Sequence, residues 1–215
     1  TPESRGDPTV LVGEPGGGCG KYLTTGPVLP DGDQGVLIGC PYTMSGATLV
    51  PATAFHSVPE SGDLNSLSTR LSKGIDDSDD VGWAVATADL NGDGIDEAIV
   101  GTRKADFHGR NSGAVHIYRG PITEEREWGS AEGTIFGTGS QDFLGGHISG
   151  DTDWDGDGLN DLVVLAGTGP RSWESDDGSV HIFSGMDVMR SVYLLPRDAR
   201  ATILSADTSS WEYAH

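Results

Sequence analysis

Basic residues are scarce in this sequence: 13 Lys and Arg stand against 33 Asp and Glu, for a formal net charge of −20. Because nucleic acid is bound by basic surfaces, this balance argues against a nucleic-acid partner. Long apolar runs are also missing, and no stretch approaches the roughly 18 residues that indicate a membrane-spanning helix. We therefore expect no membrane span. The acidic excess suggests a solvated, salt-tolerant or calcium-rich setting outside the cell.

Recognisable catalytic motifs are absent as well. The sequence has no Gly-x-Ser-x-Gly, no His-Glu-x-x-His and no phosphate-binding glycine loop. Its six histidines are scattered, and His116 and His181 occupy equivalent positions in two similar segments, residues 113–120 and 178–185. That equivalence favours a role that recurs with the structure over an active site. We predict that the protein is not an enzyme and has no catalytic residues.

Only two cysteines are present, Cys19 and Cys40. They flank a hairpin-like segment almost symmetrically about the turn Pro30-Asp31-Gly32-Asp33, and the Cα atoms of antiparallel partners lie within the range that a disulfide accepts. Two free thiols are the alternative. We predict a disulfide, which would stabilise the fold by roughly 3 kcal/mol in the chain-entropy model. It would also imply an oxidising compartment.

Two nine-residue stretches are the most informative part of the sequence. Each has oxygen-bearing side chains at positions 1, 3, 5 and 9, and glycines at positions 4 and 6 that allow a tight curl. Position 7 would contribute its backbone carbonyl, and a ligand set made only of oxygen favours Ca²⁺. The predicted ligands of the first site are Asp89, Asn91, Asp93, Ile95 and Glu97. Those of the second site are Asp153, Asp155, Asp157, Leu159 and Asp161.

An EF-hand is the obvious alternative for such loops. It needs a bidentate Glu at position 12 and a helix on each side. Position 12 is Val100 in the first stretch and Val164 in the second, and a short apolar run of strand composition follows each stretch. We therefore predict calcium loops at the tips of β-hairpins. The remaining alternative is two turns rich in Asp and Gly that bind no metal.

The two loops belong to units that repeat. Each unit has a strand before the loop, an apolar strand after it, a Gly-rich turn and two more short strands. A weaker copy precedes them. Its loop keeps Asp31 and Asp33 but lacks acids at both positions 1 and 9, so we predict a degenerate third site there. The predicted repeats are residues 10–72, 73–134 and 135–204, with the start of a fourth at 205–215.

These features resemble the FG-GAP repeat family, whose repeats form the blades of the β-propeller in integrin α subunits. The resemblance rests on the strand starts Val81-Gly82 and Phe143-Leu144-Gly145, on the Asp-x-Asx-x-Asp-Gly-x-x-acid loop, and on the later Gly-Ala-Val-like strand. It implies an all-β fold made of four-stranded antiparallel propeller blades. It also implies that the calcium hairpin joins the first two strands of a blade and that ligands bind the opposite face.

The function implied by this resemblance is that of a calcium-stabilised, secreted or cell-surface module that binds a protein ligand in adhesion or surface assembly. A carbohydrate-binding or lyase-type propeller and a purely structural building block are the alternatives. The ligand face would be built from residues 56–80, 103–112 and 167–178. The tripeptide Arg5-Gly6-Asp7 is either an adhesion motif or an ordinary solvated turn.

Three repeats are too few for a closed propeller, which has four to eight blades. We therefore expect further blades from the same polypeptide or from another chain, because the apolar outer faces of the end repeats would otherwise be exposed to solvent. In the core, we expect the apolar residues that follow the two loops to lie between neighbouring blades. These residues are Ile99, Val100, Val163 and Val164.

Overall fold

The computed structural model describes residues 11–12, 15–42, 46–51, 62–63, 69–71, 77–167 and 178–204. Regular structure in these residues is almost entirely β-strand. The strands are β1 (Leu11–Val12), β2 (Tyr22–Gly26), β3 (Gly35–Cys40), β4 (Gly46–Pro51), β5 (Gly62–Asp63), β6 (Thr69–Leu71), β7 (Val81–Ala88), β8 (Glu97–Thr102), β9 (Ala114–Tyr118), β10 (Gly133–Phe136), β11 (Leu144–Thr152), β12 (Asp161–Ala166), β13 (Ser179–Phe183), β14 (Tyr193–Leu194) and β15 (Ala201–Leu204). A short helix, α1 (Gly185–Arg190), precedes β14.

The longer strands form three successive four-stranded antiparallel sheets. We call them blade one (β2-β3-β4-β6), blade two (β7-β8-β9-β10) and blade three (β11-β12-β13-β15). Strands β1 and β5 form a separate parallel pair. The prediction of an all-β fold built from blade-like sheets is confirmed. The sheets of the described residues do not close into a ring.

The core lies between the blades. Side chains on a strand alternate between the two faces of its sheet, so consecutive residues of β8 face different neighbours. Val100 packs with Leu37 and Leu49 in the cluster that joins blades one and two. Ile99 packs with Leu144 and other residues in the cluster that joins blades two and three. Each of the two clusters therefore holds a pair of blades together.

Val163 departs from the expectation that all four apolar residues after the loops are buried between blades. Val164 and its neighbour Leu162 are fully buried in the cluster shared with blade two, whereas Val163 is only half-buried. The alternation of β12 turns Val163 to the outer face of blade three, on which the described residues place no further blade. On that face Ile203 is 60% exposed. On the outer face of blade one, Leu23 is 61% exposed.

The connection between the third and fourth strands of blade three reaches back to blade two. It contains α1 and β14, and β14 pairs in parallel with β10, with Tyr193 opposite Thr134 and Leu194 opposite Ile135. Val188 of α1 is fully buried in the cluster between the two blades. This connection therefore adds a fifth strand to blade two.

Blade one carries the predicted disulfide between Cys19 and Cys40. Cys40 ends β3, and Cys19 lies just before β2, its antiparallel partner. The bond therefore ties together one end of the first hairpin of the blade. None of the helices in the described part of the chain has the length and apolar character needed to cross a lipid bilayer.

Candidate metal-binding loops

The two predicted calcium stretches lie at hairpin tips. The first, which we call loop one (residues 89–97), joins β7 to β8, and the second, loop two (residues 153–161), joins β11 to β12. Position 12 lies inside a strand in both cases, at Val100 in β8 and at Val164 in β12. The hairpin setting of the loops is thus as the sequence predicts, and the helices of an EF-hand do not flank them.

Asp89, at position 1 of loop one, organises the turn. Its Oδ1 accepts hydrogen bonds from the backbone N–H groups of Gly92 at 2.7 Å and Asp93 at 3.2 Å. Its Oδ2 accepts one from the N–H of Gly94 at 2.9 Å. Gly92 and Gly94 have φ values of 78° and 85°, which glycine adopts without steric cost. The curl of the loop therefore depends on these two glycines.

Loop two repeats this network. Asp153 Oδ1 accepts from the N–H groups of Gly156 at 2.7 Å and Asp157 at 3.1 Å, and its Oδ2 accepts from that of Gly158 at 2.9 Å. At position 3, Asp155 Oδ1 accepts from the N–H of Asp157 at 3.1 Å. The side chain of Asn91 does the same in loop one at 2.9 Å. Two separate segments of sequence thus fold into one geometry.

The acid at position 9 is buried in each loop and accepts hydrogen bonds from other residues of that loop. Glu97 Oε2 accepts a hydrogen bond from the N–H of Leu90 at 3.0 Å, and its Oε1 accepts one from the Asn91 side chain at 2.8 Å. Asp161 Oδ2 accepts from the N–H of Trp154 at 2.8 Å. Asp161 Oδ1 accepts from the N–H of Gly185 at 3.2 Å, so this acid also fixes the start of α1.

The electrostatics of loop one reflect crowded negative charge. Burial is the main cause that raises the pKa of Glu97 to about 7, and the charges of Asp93 and Asp89 contribute to this shift. The hydrogen bond from Leu90 and the charge of Arg119 act in the opposite direction. A bound cation would favour the ionised form of such a carboxyl group. The loop is therefore arranged so that a cation relieves the repulsion among its acids.

The acids of loop two fit a metal ion. One carboxylate oxygen from each of Asp153, Asp155 and Asp161 lies within 4.8 Å of the other two. Oxygens that bind Ca²⁺ at 2.3–2.6 Å are separated by at most roughly 5 Å across the ion, so the three acids are close enough to share one. In loop one the amide of Asn91 stands in the place of Asp155. The stretch predicted to be a degenerate third site lies in the equivalent loop of blade one, where Asp31 and Asp33 are both exposed.

The two equivalent histidines are held by hydroxyl groups. His116 lies between Thr102, with its Oγ1 3.4 Å from Nε2, and Thr134, with its Oγ1 3.4 Å from Nδ1. His181 lies in the same way between Ser179 at 2.8 Å and Thr202 at 3.0 Å. Burial lowers the pKa of His116 to about 3 and also lowers that of His181. The arrangement recurs with the blade, as expected from the sequence, and both rings are kept neutral.

A row of aromatic rings lies at the end of blade two away from loop one, and the sequence reasoning missed it. Its neighbouring rings have centroids 5.4, 4.9 and 4.8 Å apart, and we call it the aromatic row: Trp128, Phe107, Phe136 and Tyr193. The end members are the most exposed, Trp128 by 37% and Tyr193 by 51%. Only Phe107 falls in a segment assigned to the ligand face from the sequence, because the other three rings come from distant parts of the chain.

A cleft of about 490 Å³ lies between the first strands of the three blades. Small and hydroxyl-bearing side chains of β2, β7 and β11 line most of it, and Tyr22 is its only aromatic ring among the described residues. Asp96 and Asp151 give it acidic character. Burial raises the pKa of Asp96, and the charges of Asp89 and Asp151 add to this shift, while a hydrogen bond from Thr87 opposes it.

Part of this chain matches a family model, and most of it is similar to known proteins. The FG-GAP repeat family model matches residues 81–118. The integrin alpha pat-2 of Caenorhabditis elegans is 29% identical over 178 residues, which cover 75% of this chain and 14% of that protein. The integrin alpha pat-2 of Caenorhabditis briggsae is 28% identical over the same shares of both chains. The chain thus spans about a seventh of the length of the curated relatives that it matches. The matched residues 81–118 run from the start of β7 through loop one to the end of β9, and the family resemblance seen in the sequence is confirmed.

Proposed function

We propose that this chain is a calcium-stabilised propeller module that works outside the cell, in adhesion or surface assembly, by binding a protein ligand. The observation that carries the proposal is the repeated carboxylate network of loops one and two. It recurs in neighbouring blades, one of which contains the FG-GAP match. The similarity to integrin alpha chains supports the adhesion role. The disulfide and the acidic surface support a setting outside the cell.

Calcium would have a structural role at both hairpins. In each loop the side-chain oxygens at positions 1, 3, 5 and 9 and the backbone carbonyl at position 7 would hold one ion. Loop one contributes the carboxylates of Asp89, Asp93 and Glu97, and loop two contributes four carboxylates. A divalent ion offsets part of this charge and fixes the hairpin tip. The ligand would bind at the opposite end of the blades, where loops are free to vary.

A calorimetric titration of the protein with Ca²⁺ tests the proposal. We expect two ions to bind, and we expect Asp93→Ala and Asp157→Ala each to remove one of them. Glu124→Gln is the matched control, because Glu124 is an exposed acid outside both loops, and this variant should keep both ions. Absence of calcium uptake, or uptake that neither loop substitution reduces, would show that the loops are turns without a metal.

Glycan binding is a second candidate, and the aromatic row favours it. Exposed aromatic rings stack on the apolar faces of sugar rings, and their polar edges can hydrogen-bond the hydroxyl groups. In this row the Tyr193 hydroxyl donates to His108 Nε2 at 2.7 Å, because His108 Nδ1 donates to the carbonyl of Gly137 at 2.8 Å. Glycan-array binding that Trp128→Ala abolishes would support a sugar ligand. Binding to a protein that Trp128→Ala leaves unchanged would place the ligand elsewhere.

A further inference from the structure

We propose that loops one and two bind calcium cooperatively, and that Leu159 is the positioning residue that couples them. This inference rests on the calcium binding proposed above and adds a property of the pair of sites. The two loops belong to different blades, but they lie in direct contact. Three contacts join them, and each involves a residue that the loop needs for its own geometry.

The first contact holds the backbone of Asp89. The N–H of Asn160, at position 8 of loop two, donates a hydrogen bond to the carbonyl of Asp89, at position 1 of loop one, at 3.4 Å. The carboxylate of Asp89 accepts hydrogen bonds from three backbone N–H groups of loop one. A shift in the backbone of loop two would therefore move the central ligand of loop one.

The second contact places the side chain of Leu159 on loop one. A Cβ added to Gly92 would lie only 2.7 Å from Leu159 Cδ2, so the leucine lies directly over this glycine. Gly92 in turn donates its N–H to Asp89 at 2.7 Å. The main chain of Leu159 serves its own loop: its N–H donates to Asp157 at 2.9 Å, and its carbonyl is the predicted position 7 ligand. One residue thus presents its backbone to the proposed calcium site of loop two and its side chain to loop one.

The third contact is made by Gly185 at the start of α1. Its N–H donates to Asp161, the buried acid of loop two. A Cβ at Gly185 would collide with the carbonyl of Asn160 and lie 2.9 Å from the carbonyl of Leu90 in loop one. The space between the loops is therefore too small for any side chain at this position, and the two loops and α1 form one packed unit.

This packing couples the two binding events. Without metal, the carboxylates of each loop repel one another, and ordering a loop costs conformational entropy. An ion in loop two fixes the Leu159 carbonyl and so fixes the side chain that rests on Gly92. Loop one is then already ordered when its own ion arrives, which raises its affinity. Because coupling is reciprocal, an ion in loop one must raise the affinity of loop two by the same factor.

Direct electrostatics act in the opposite direction. Each ion neutralises acids whose charge attracts the other ion, so filling one site weakens the electrostatic attraction of the second. At an ionic strength of 1 M the Debye length falls to about 3 Å, which suppresses this long-range effect. Contact coupling should therefore be measured at high salt, where it stands alone.

The test is a set of calcium titrations at high salt. Asp157→Ala removes site two, and we expect site one of this variant to bind Ca²⁺ about fivefold or more weakly than site one of the unaltered protein. Asp93→Ala should weaken site two by an equal factor. Equal factors distinguish coupling from local damage, because damage to one loop has no reason to match damage to the other.

Leu159→Ala tests the route of coupling, since it removes the side chain and keeps the carbonyl ligand. We expect the coupling to become much weaker, because only the contacts of Asn160 and Gly185 then join the loops, and we expect Leu159→Met to retain the coupling. Leu204→Ala is the matched control, because Leu204 is exposed at the end of β15 and lies outside both loops, so this variant should keep the coupling. Two independent sites in the unaltered protein, or coupling that Leu159→Ala leaves undiminished, would overturn this inference alone. Absence of calcium binding would overturn the proposed function as well.

Discussion

His116 and His181 show, at the scale of single residues, how a repeat imposes one chemistry on two positions. Each ring lies between two hydroxyl groups. One hydroxyl group is on the strand of the histidine itself or on the preceding strand, and the other is on the next strand of the blade. The hydroxyl can donate or accept, so a neutral imidazole is satisfied in either tautomer. A charged imidazolium in the same place would be desolvated without a carboxylate to balance it, which accounts for the lowered pKa of His116.

Protonation of His116 should make the protein less stable in acid. Its pKa is lowered from 6.5 to about 3 in the fold, so below pH 6.5 the unfolded chain takes up a proton that the folded chain does not. The free energy of unfolding should therefore fall as the pH drops from 6.5 towards 3. We expect His116→Gln to reduce this slope in urea denaturation. His147→Gln, at an exposed histidine, should leave it unchanged, and equal slopes in all three proteins would contradict the prediction.

The hairpin setting of the two loops could be predicted from sequence because each nine-residue loop carries its own geometry. The spacing of the oxygen-bearing residues, their types and the placement of the glycines are all properties of nine consecutive residues. The contact of Leu159 with Gly92 could not be predicted, because it joins two repeats that are distant in sequence and depends on how the blades pack. The second role of Asp161, as acceptor from Gly185, was hidden for the same reason. The aromatic row likewise gathers rings from separate parts of the chain.

At the scale of strands, the sequence predicted the hairpins but not which faces of the end blades are left exposed. The apolar runs after both loops are strands, as expected. The sequence shows two adjacent apolar residues in each run, Ile99-Val100 and Val163-Val164, and gives no sign that one copy lies in the middle of the array and the other at its edge. The sequence predicts burial of Val163 together with the other apolar residues that follow the loops, and the structure shows only partial burial.

Truncation of these two equivalent residues should have different costs. Ile99→Ala removes a fully buried side chain from the cluster between blades two and three, and we expect it to lower the free energy of unfolding by about 2–4 kcal/mol. Val163→Ala should cost about 1 kcal/mol or less, because its side chain is already partly in water. Chemical denaturation of the two variants measures both values. Equal losses would mean that a further structure covers the outer face of blade three in solution.

At the scale of the whole molecule, calcium should determine thermal stability. A ligand that binds only the folded state stabilises it by about 2.7 kcal/mol for each site when its concentration is a hundred times the dissociation constant. We therefore expect chelation to lower the melting temperature, and calcium to restore it. Calorimetric scans of the chelated and refilled protein measure the shift. An unchanged melting temperature would show that calcium does not contribute to the stability of the fold.

The outer faces of the end blades bear on association. Leu23 on blade one is 61% exposed and Ile203 on blade three 60%, whereas Ile135, the residue of blade two equivalent to Ile203, is fully buried. Apolar faces of this kind are covered in complete repeat arrays, so we propose that further blades, of the same polypeptide or another chain, cover them. Light scattering should show association of the 215-residue chain, reduced by Ile203→Glu. A stable monomer with a sharp melting transition would contradict this proposal.

The pairing of β14, which comes from the connection within blade three, with the sheet of blade two has a mechanical consequence. Strand β14 lies parallel to β10, and α1 before it is anchored by Val188 in the core between the blades. A force that pulls blade three away from blade two must therefore slide a strand out of the neighbouring sheet and extract a buried side chain in the same step. Blades two and three are interlocked rather than stacked, so tension across this pair is distributed over a sheet edge and a hydrophobic core together.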